Sequence, residues 1–169
     1  MSPPARLGPL FLFAACFALA DQLLKWAVAA TFRLGESVAV VPGLLNLTYL
    51  RNRGGAFSLL ASLPGAWGRV FFLVATLIAL GFVLYLHRCS PPATRWGRFG
   101  LWTIFGGGIG NLIDRLLHGE VIDFIDFHFR GWHWPAFNLA DSGITVGVIL
   151  LAADLFFSRA PAPRDGAEA

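Results

Sequence analysis

The sequence predicts a mainly α integral membrane protein, with four transmembrane helices and a small β-sheet over their extracytoplasmic ends. Three observations predict it. Hydrophobic residues make up 56% of the chain and charged residues only 14%, well outside ordinary soluble usage. Four apolar stretches, about 7–30, 67–86, 96–117 and 139–157, each approach the roughly 20 helical residues needed to cross a bilayer core of about 30 Å. Between the first two, the pattern changes from continuously apolar to alternating, which is the period of a strand.

The first stretch contains Phe13-Ala14-Ala15-Cys16, which has the look of a cleavable precursor box. The apolar run continues past Cys16 to about Ala30, long enough to span, so small-residue helix packing is the reading. Cys16 and Cys89 fall in different segments and predict no disulfide. Asp21 and Lys25 are four apart in the favourable acid-before-base order, which predicts either an intramembrane ion pair or a grip on lipid or substrate.

The loop that follows, about 32–65, is not simply polar. Val38 and Val40, then Leu45, Leu47 and Tyr49 alternating with Asn46 and Thr48, predict short strands punctuated by Pro42-Gly43 and Gly54-Gly55. The third stretch carries Gly106, Gly107, Gly108 and Gly110, which without a following Lys-Ser/Thr predict close helix packing rather than a phosphate cradle. Its outer end presents Asn111, Asp114 and Arg115 on one face, and the fourth stretch opens with Asn138 and Asp141, again three apart. Residues 1–158 therefore read as a single membrane domain and 159–169, rich in Pro and Ala, as a disordered cytoplasmic tail.

Four crossings put both termini on one side. Arg6, Arg88, Arg95, Arg98, Arg159 and Arg164 flank the terminal side, against Arg33, Arg51, Arg53, Arg69, Arg115 and Arg130 on the other. The counts tie, but the terminal flanks are shorter and denser in charge, which predicts cytoplasmic termini. The net charge of +3 forms no basic stripe, so nucleic acid is not the expected partner.

Five of the ten acids, Asp114, Glu120, Asp123, Asp126 and Asp141, lie between 114 and 141. Carboxylates beside lipid are costly and mark functional sites. Asp123 and Asp141 bracket the link between the last two spans, so both are expected at one membrane face, sharing a pocket with the other acids. Two close carboxylates in a poorly solvated site share a proton, and one acts as base while the other acts as acid. Asp141, in the first turn of its helix, is expected to carry more of the negative charge. The plainer account makes Asp141 a helix cap and Asp114 the partner of Arg115 or another nearby base. His118, His128 and His133 match no zinc-site spacing, so no metal and no cofactor are expected.

The stretches Asp21-Gln22 with Lys25, Arg51-Asn52 with Gly54, Ala56 and Phe57, Gly110-Asn111 with Asp114-Arg115, Gly119, Val121 and Asp123-Phe124, and Phe137-Asn138 with Ala140-Asp141 together closely resemble the bacterial lipoprotein signal peptidase family, the type II signal peptidases. Gly55 and Gly108 stand where alanine is expected and keep the positions small. The resemblance implies a four-span aspartyl protease of the bacterial inner membrane, its periplasmic sheet cradling a diacylglyceryl-modified prolipoprotein cut just before the modified cysteine. It also implies Asp123 and Asp141 as the catalytic pair. Asn52, Asn111, Arg115 and Asn138 then line the substrate pocket with Asp114 in support, while Asp21 and Lys25 are structural or lipid-facing. Membrane lipids are the other expected partner. The competing readings are a small transporter or proton-relay subunit, whose polar path would have to cross the membrane, and a structural adaptor, which would tolerate Asn at both aspartates.

Overall fold

The computed structural model describes residues 6–54 and 65–157. Eight elements follow in order: α1 (Leu7–Thr31), β1 (Ser37–Val41), β2 (Leu45–Asn52), α2 (Gly65–Cys89), α3 (Arg95–Leu117), β3 (Val121–Phe129), β4 (Trp132–His133) and α4 (Leu139–Phe157). Gly55, Ala56 and Phe57 of the resemblance, and the tail expected at 159–169, lie outside the described residues.

The helix ends have local causes. Pro9 stands in the first turn of α1, where its missing N–H leaves no bond unmade. Thr94 caps α3 by accepting from Gly97 N–H at 3.0 Å. At the start of α4, Asn138 Oδ1 accepts from Asp141 N–H at 2.9 Å. Much of the helix exterior is apolar and exposed, including Leu12, Ile78, Phe156 and Phe157. A surface of that kind is suited to lipid.

Three helices, α1, α2 from Trp67 onward and α4, are long and apolar enough to cross a membrane. α3 is not among them, although its 23 residues give it the length. Its glycines, together with Arg95, Arg98, Asn111, Asp114 and Arg115, lower its hydropathy. It packs against α1, α2 and α4, so much of its surface meets protein. Glycines make those contacts close: a Cβ at Gly147 of α4 would stand 2.5 Å from Gly100 O, and one at Gly110 of α3 would stand 2.7 Å from Asp21 Oδ2. The pair expected to pack closely divides its work, Gly106 lying against Phe17 and Ala14 of α1 and Gly110 under the Asp21 carboxylate.

The sheet is antiparallel in the order β1-β2-β3-β4. β1 and β2 are the short strands expected on either side of Pro42-Gly43, and they pair as a hairpin with Gly43 at φ 79° in the turn. β3 and β4 are an addition, because residues 121–133 were expected only as a polar link. Val28 of α1, Tyr49 of β2, and Ile122 and Phe124 of β3 form a small core that seats the sheet against the end of α1, near Leu139 at the start of α4. A larger core of Leu10, Ala14, Val83, Leu101 and Phe105 lies further along the bundle.

Candidate active site

Asp123 lies on β3, opposite Leu50 of β2, and is 2% exposed. A short polar link would have left it in solvent; the strand instead inserts it beside the start of α4. Its Oδ1 accepts from Asn138 Nδ2 at 2.8 Å and its Oδ2 from Asn52 Nδ2 at 3.0 Å. Asp141, one turn into α4, accepts from Asn111 Nδ2 at 2.7 Å. Asn138 joins the two acids, since its Nδ2 meets Asp123 while its Oδ1 holds the backbone N–H of Asp141. The cap on α4 is therefore Asn138 and not Asp141, which is the residue capped, and this corrects the plainer account of Asp141.

Each acid is met by neutral amides rather than by a direct ion pair among the bonds of the described residues. Burial, foremost, and the negative charge of Asp141 push the Asp123 carboxyl from the usual carboxylate range up to about 7. The amides of Asn52 and Asn138 and the charge of Lys25 pull the other way. Arg115 lies within electrostatic reach of Asp141, Asp114 and Asp123. Its Nη1 donates to Asn111 O at 3.2 Å, and its guanidinium sits 5.7 Å above the Phe72 ring.

Directly beneath lies a second cluster. Lys25 is 1% exposed, and its ammonium reaches Asp21 Oδ2 at 2.6 Å, Asp114 Oδ2 at 2.8 Å and Asn111 Oδ1 at 3.0 Å. Lys25 and Asp21 are thus enclosed within the protein, which corrects the lipid-facing half of the expectation for them. Asp114 pairs with Lys25 and not with Arg115. The two acids of this cluster also hold backbone: Asp21 Oδ1 accepts from Ala140 N–H at 2.9 Å, and Asp114 Oδ2 from Ile122 N–H at 3.1 Å. Each of those amides immediately precedes one of the paired aspartates.

Glu120 and Asp126 do not join the pocket, which corrects the expected convergence of five acids. Strand alternation turns Asp126, three residues from Asp123, to the opposite face. There it meets His133 Nδ1 at 2.9 Å and Asn46 Nδ2 at 3.1 Å, beneath the stacked rings of His128 and His133. Glu120 pairs with the exposed Arg53 at 2.6 Å. Sequence reasoning overlooked Gln22 as a site residue, although Nε2 of this side chain donates to Asp114 Oδ1 at 2.9 Å and to Gly110 O at 3.0 Å. Its signal was a third polar residue on the face of an otherwise apolar helix. Asp154, at the far end of α4, accepts instead from Ala93 and Thr94 N–H at 2.9 and 2.8 Å, holding the α2–α3 turn.

Comparison with known proteins gives concordant results. The family model described as signal peptidase (SPase) II matches residues 13–157. A lipoprotein signal peptidase of Paraburkholderia phymatum is 47% identical over 156 residues, covering 91% of this chain and 92% of the relative. One from Desulforapulum autotrophicum is 44% identical over 142 residues, covering 83% and 87%. Among solved structures, a bacterial membrane enzyme determined by the in meso method at 2.3 Å is 33% identical, covers 99% of both chains and superposes with a TM-score of 0.81.

Proposed function

Because the chain belongs to the signal peptidase II family, we propose that the pocket of Asp123 and Asp141 is the catalytic centre of its endopeptidase activity. The protein is a multi-pass membrane protease that removes signal peptides from prolipoproteins. The observation that carries the assignment to this pocket is Asn138, one side chain that binds Asp123 with its nitrogen and the Asp141 backbone with its oxygen. It holds two acids of unequal environment side by side.

In this reading Asp141 is the anion and Asp123, its carboxyl raised to about 7 and so about half protonated at neutral pH, supplies the proton. Water between them loses a proton to Asp141 as its oxygen attacks the scissile carbonyl, and Asp123 gives its proton to the carbonyl oxygen. The resulting gem-diol collapses when Asp141 returns its proton to the departing nitrogen and Asp123 recovers one from a hydroxyl. The C–N bond breaks, leaving a carboxylic acid on the signal peptide, which then ionises to water, and an amine on the lipidated cysteine. Asn52, Asn111 and Asn138 keep both acids oriented, while Arg115 offers positive charge to the developing oxyanion.

The four-span topology belongs to the same proposal. α3 needs less apolar surface than its neighbours because three helices pack around it. Both termini then face the cytoplasm, and the paired acids and the sheet lie at the extracytoplasmic surface, where a diacylglyceryl cysteine holds its peptide bond. One membrane domain carries the whole site. A transporter is disfavoured, since the polar cluster occupies one end of the bundle and Asp154 at the other end binds backbone.

The test is cleavage of a diacylglyceryl-modified precursor by the purified protein in detergent, with and without chelator, for the parent, D123N and D141N. Chelator-resistant cleavage lost in both variants supports the assignment. Undiminished cleavage by either variant overturns it.

A further inference from the structure

The three asparagines of the pocket differ in what holds their oxygens. Asn52 Oδ1 accepts from the backbone N–H of Gly54 at 2.8 Å, and Asn138 Oδ1 from that of Asp141 at 2.9 Å. In both, a fixed main-chain donor takes the oxygen and thereby directs the NH2 group at Asp123. Asn111 has its oxygen held by side chains: Lys25 Nζ at 3.0 Å and, more distantly, Asn138 Nδ2 at 3.3 Å. An ammonium has three donors and no acceptor. Turning the Asn111 amide over would set its NH2 against that ammonium and its oxygen against the Asp141 carboxylate.

We propose that Lys25 is a positioning residue for the reaction: by fixing the Asn111 amide it keeps an N–H aimed at Asp141, so that the anion stays on Asp141 and the proton on Asp123. The inference rests on the endopeptidase reading above. Lys25 has three short contacts, two to carboxylates and the third to Asn111. Buried as it is, the ammonium needs an acceptor for each of its three N–H groups, and the third is met by the one amide that reaches Asp141. The charged groups around Asp141 are Asp123 from β3, Arg115 and Asp114 from α3, and Lys25 and Asp21 from α1. Arg115 contributes charge and binds the Asn111 backbone oxygen, not its amide. Among the described cations, Lys25 is the one bonded to the amide.

The experiment measures kcat, KM and thermal stability between pH 5 and 9 for the full chain, K25M, K25R, N111A and the K25M/N111A double variant, cleaving the diacylglyceryl precursor in detergent. K25M is expected to lower kcat about ten-fold or more, with KM within about two-fold. Its acid limb should rise by about one pH unit, more than the alkaline limb, which rises only by loss of the Lys25 charge felt at Asp123, so the profile narrows. K25R, which keeps a charged donor, should recover much of kcat. The double variant should be no slower than N111A alone, because the lysine acts through the amide. Losses that multiply, or a K25M profile of parental width, overturn the proposal. If K25M does not fold, K25R and K25R/N111A replace it: a K25R change in the profile that vanishes in the N111A background supports the proposal, and one that persists there, or a parental profile for N111A, overturns it. A parent chain that fails to cleave, or a D141N that cleaves normally, rejects the endopeptidase reading itself.

Discussion

Two pairs of aspartates lie close together in this protein, all buried but the half-buried Asp141, and they are satisfied by different chemistry. Asp21 and Asp114 share a lysine, which meets both at 2.6 and 2.8 Å. Asp123 and Asp141 receive amide hydrogens from Asn52, Asn138 and Asn111. A cation inside a protein compensates a carboxylate's charge and fixes its ionised state; an amide orients the carboxylate and leaves that charge largely uncompensated. The first pair is therefore a clamp. The second can exchange a proton, which is what acid–base chemistry asks of it.

Substitutions separate the two pairs most sharply at the amide-held acids. D123N and D141N are each expected to lose at least about 10²-fold in kcat while remaining folded and melting no lower than D21N or D114N, measured by cleavage and by circular dichroism. D21N and D114N should instead unfold the protein readily, since removing one partner of a buried ion pair costs about 3–5 kcal/mol. Thermal melts in detergent check this. Intact stability in D21N would show that the clamp is not one.

pH sharpens the same contrast. With the Asp123 carboxyl raised to about 7 by burial and by Asp141, kcat/KM should fall as pH rises through about 7 and the acid deprotonates. The same shift has a stability consequence. The raised folded-state value favours the folded protein below about 4, and that contribution is lost as pH rises through about 7, up to about 4 kcal/mol in all. D123N removes the ionisation, so its melting temperature should gain on the parent's at pH 8 relative to pH 5. An unchanged difference between the two would exclude a buried, proton-bearing Asp123.

Smaller effects are expected further out. G110A should lower stability by about 1–3 kcal/mol, because its methyl meets the Asp21 carboxylate and presses on the clamp. D126N, on the opposite face of β3, should change activity by less than about two-fold and stability by less than about 1 kcal/mol, since its histidine partner is exposed.

Much of the helical framework could be read from the sequence, because apolar length is a local property: the stretch expected at 139–157 is α4, and that at 67–86 lies within α2. The β1 and β2 strands were legible for the same reason. β3 escaped because Asp123, Asp126 and His128 made Val121–Phe129 look like a polar link. Its run of β-branched and aromatic residues between Gly119 and Gly131 was nonetheless a strand signal. The polar faces of α3 and α4 followed from spacing, and Asn52 from the family resemblance. The orientation of the Asn111 amide, the third contact of Lys25 and the role of Asp154 depend on partners 27 to 86 residues away in the chain. No local pattern carries that information.

The N–H groups of Ile122 and Ala140 are fastened to Asp114 and Asp21, and one lysine ties those two acids together. The strand entry bearing Asp123 and the helix start bearing Asp141 are thus riveted to a common post. Where a thicker or thinner bilayer makes the helices tilt, a post of this kind carries the two aspartates as one piece and preserves their spacing. The proposed acid pair is in this way insulated from the mechanics of the membrane around it.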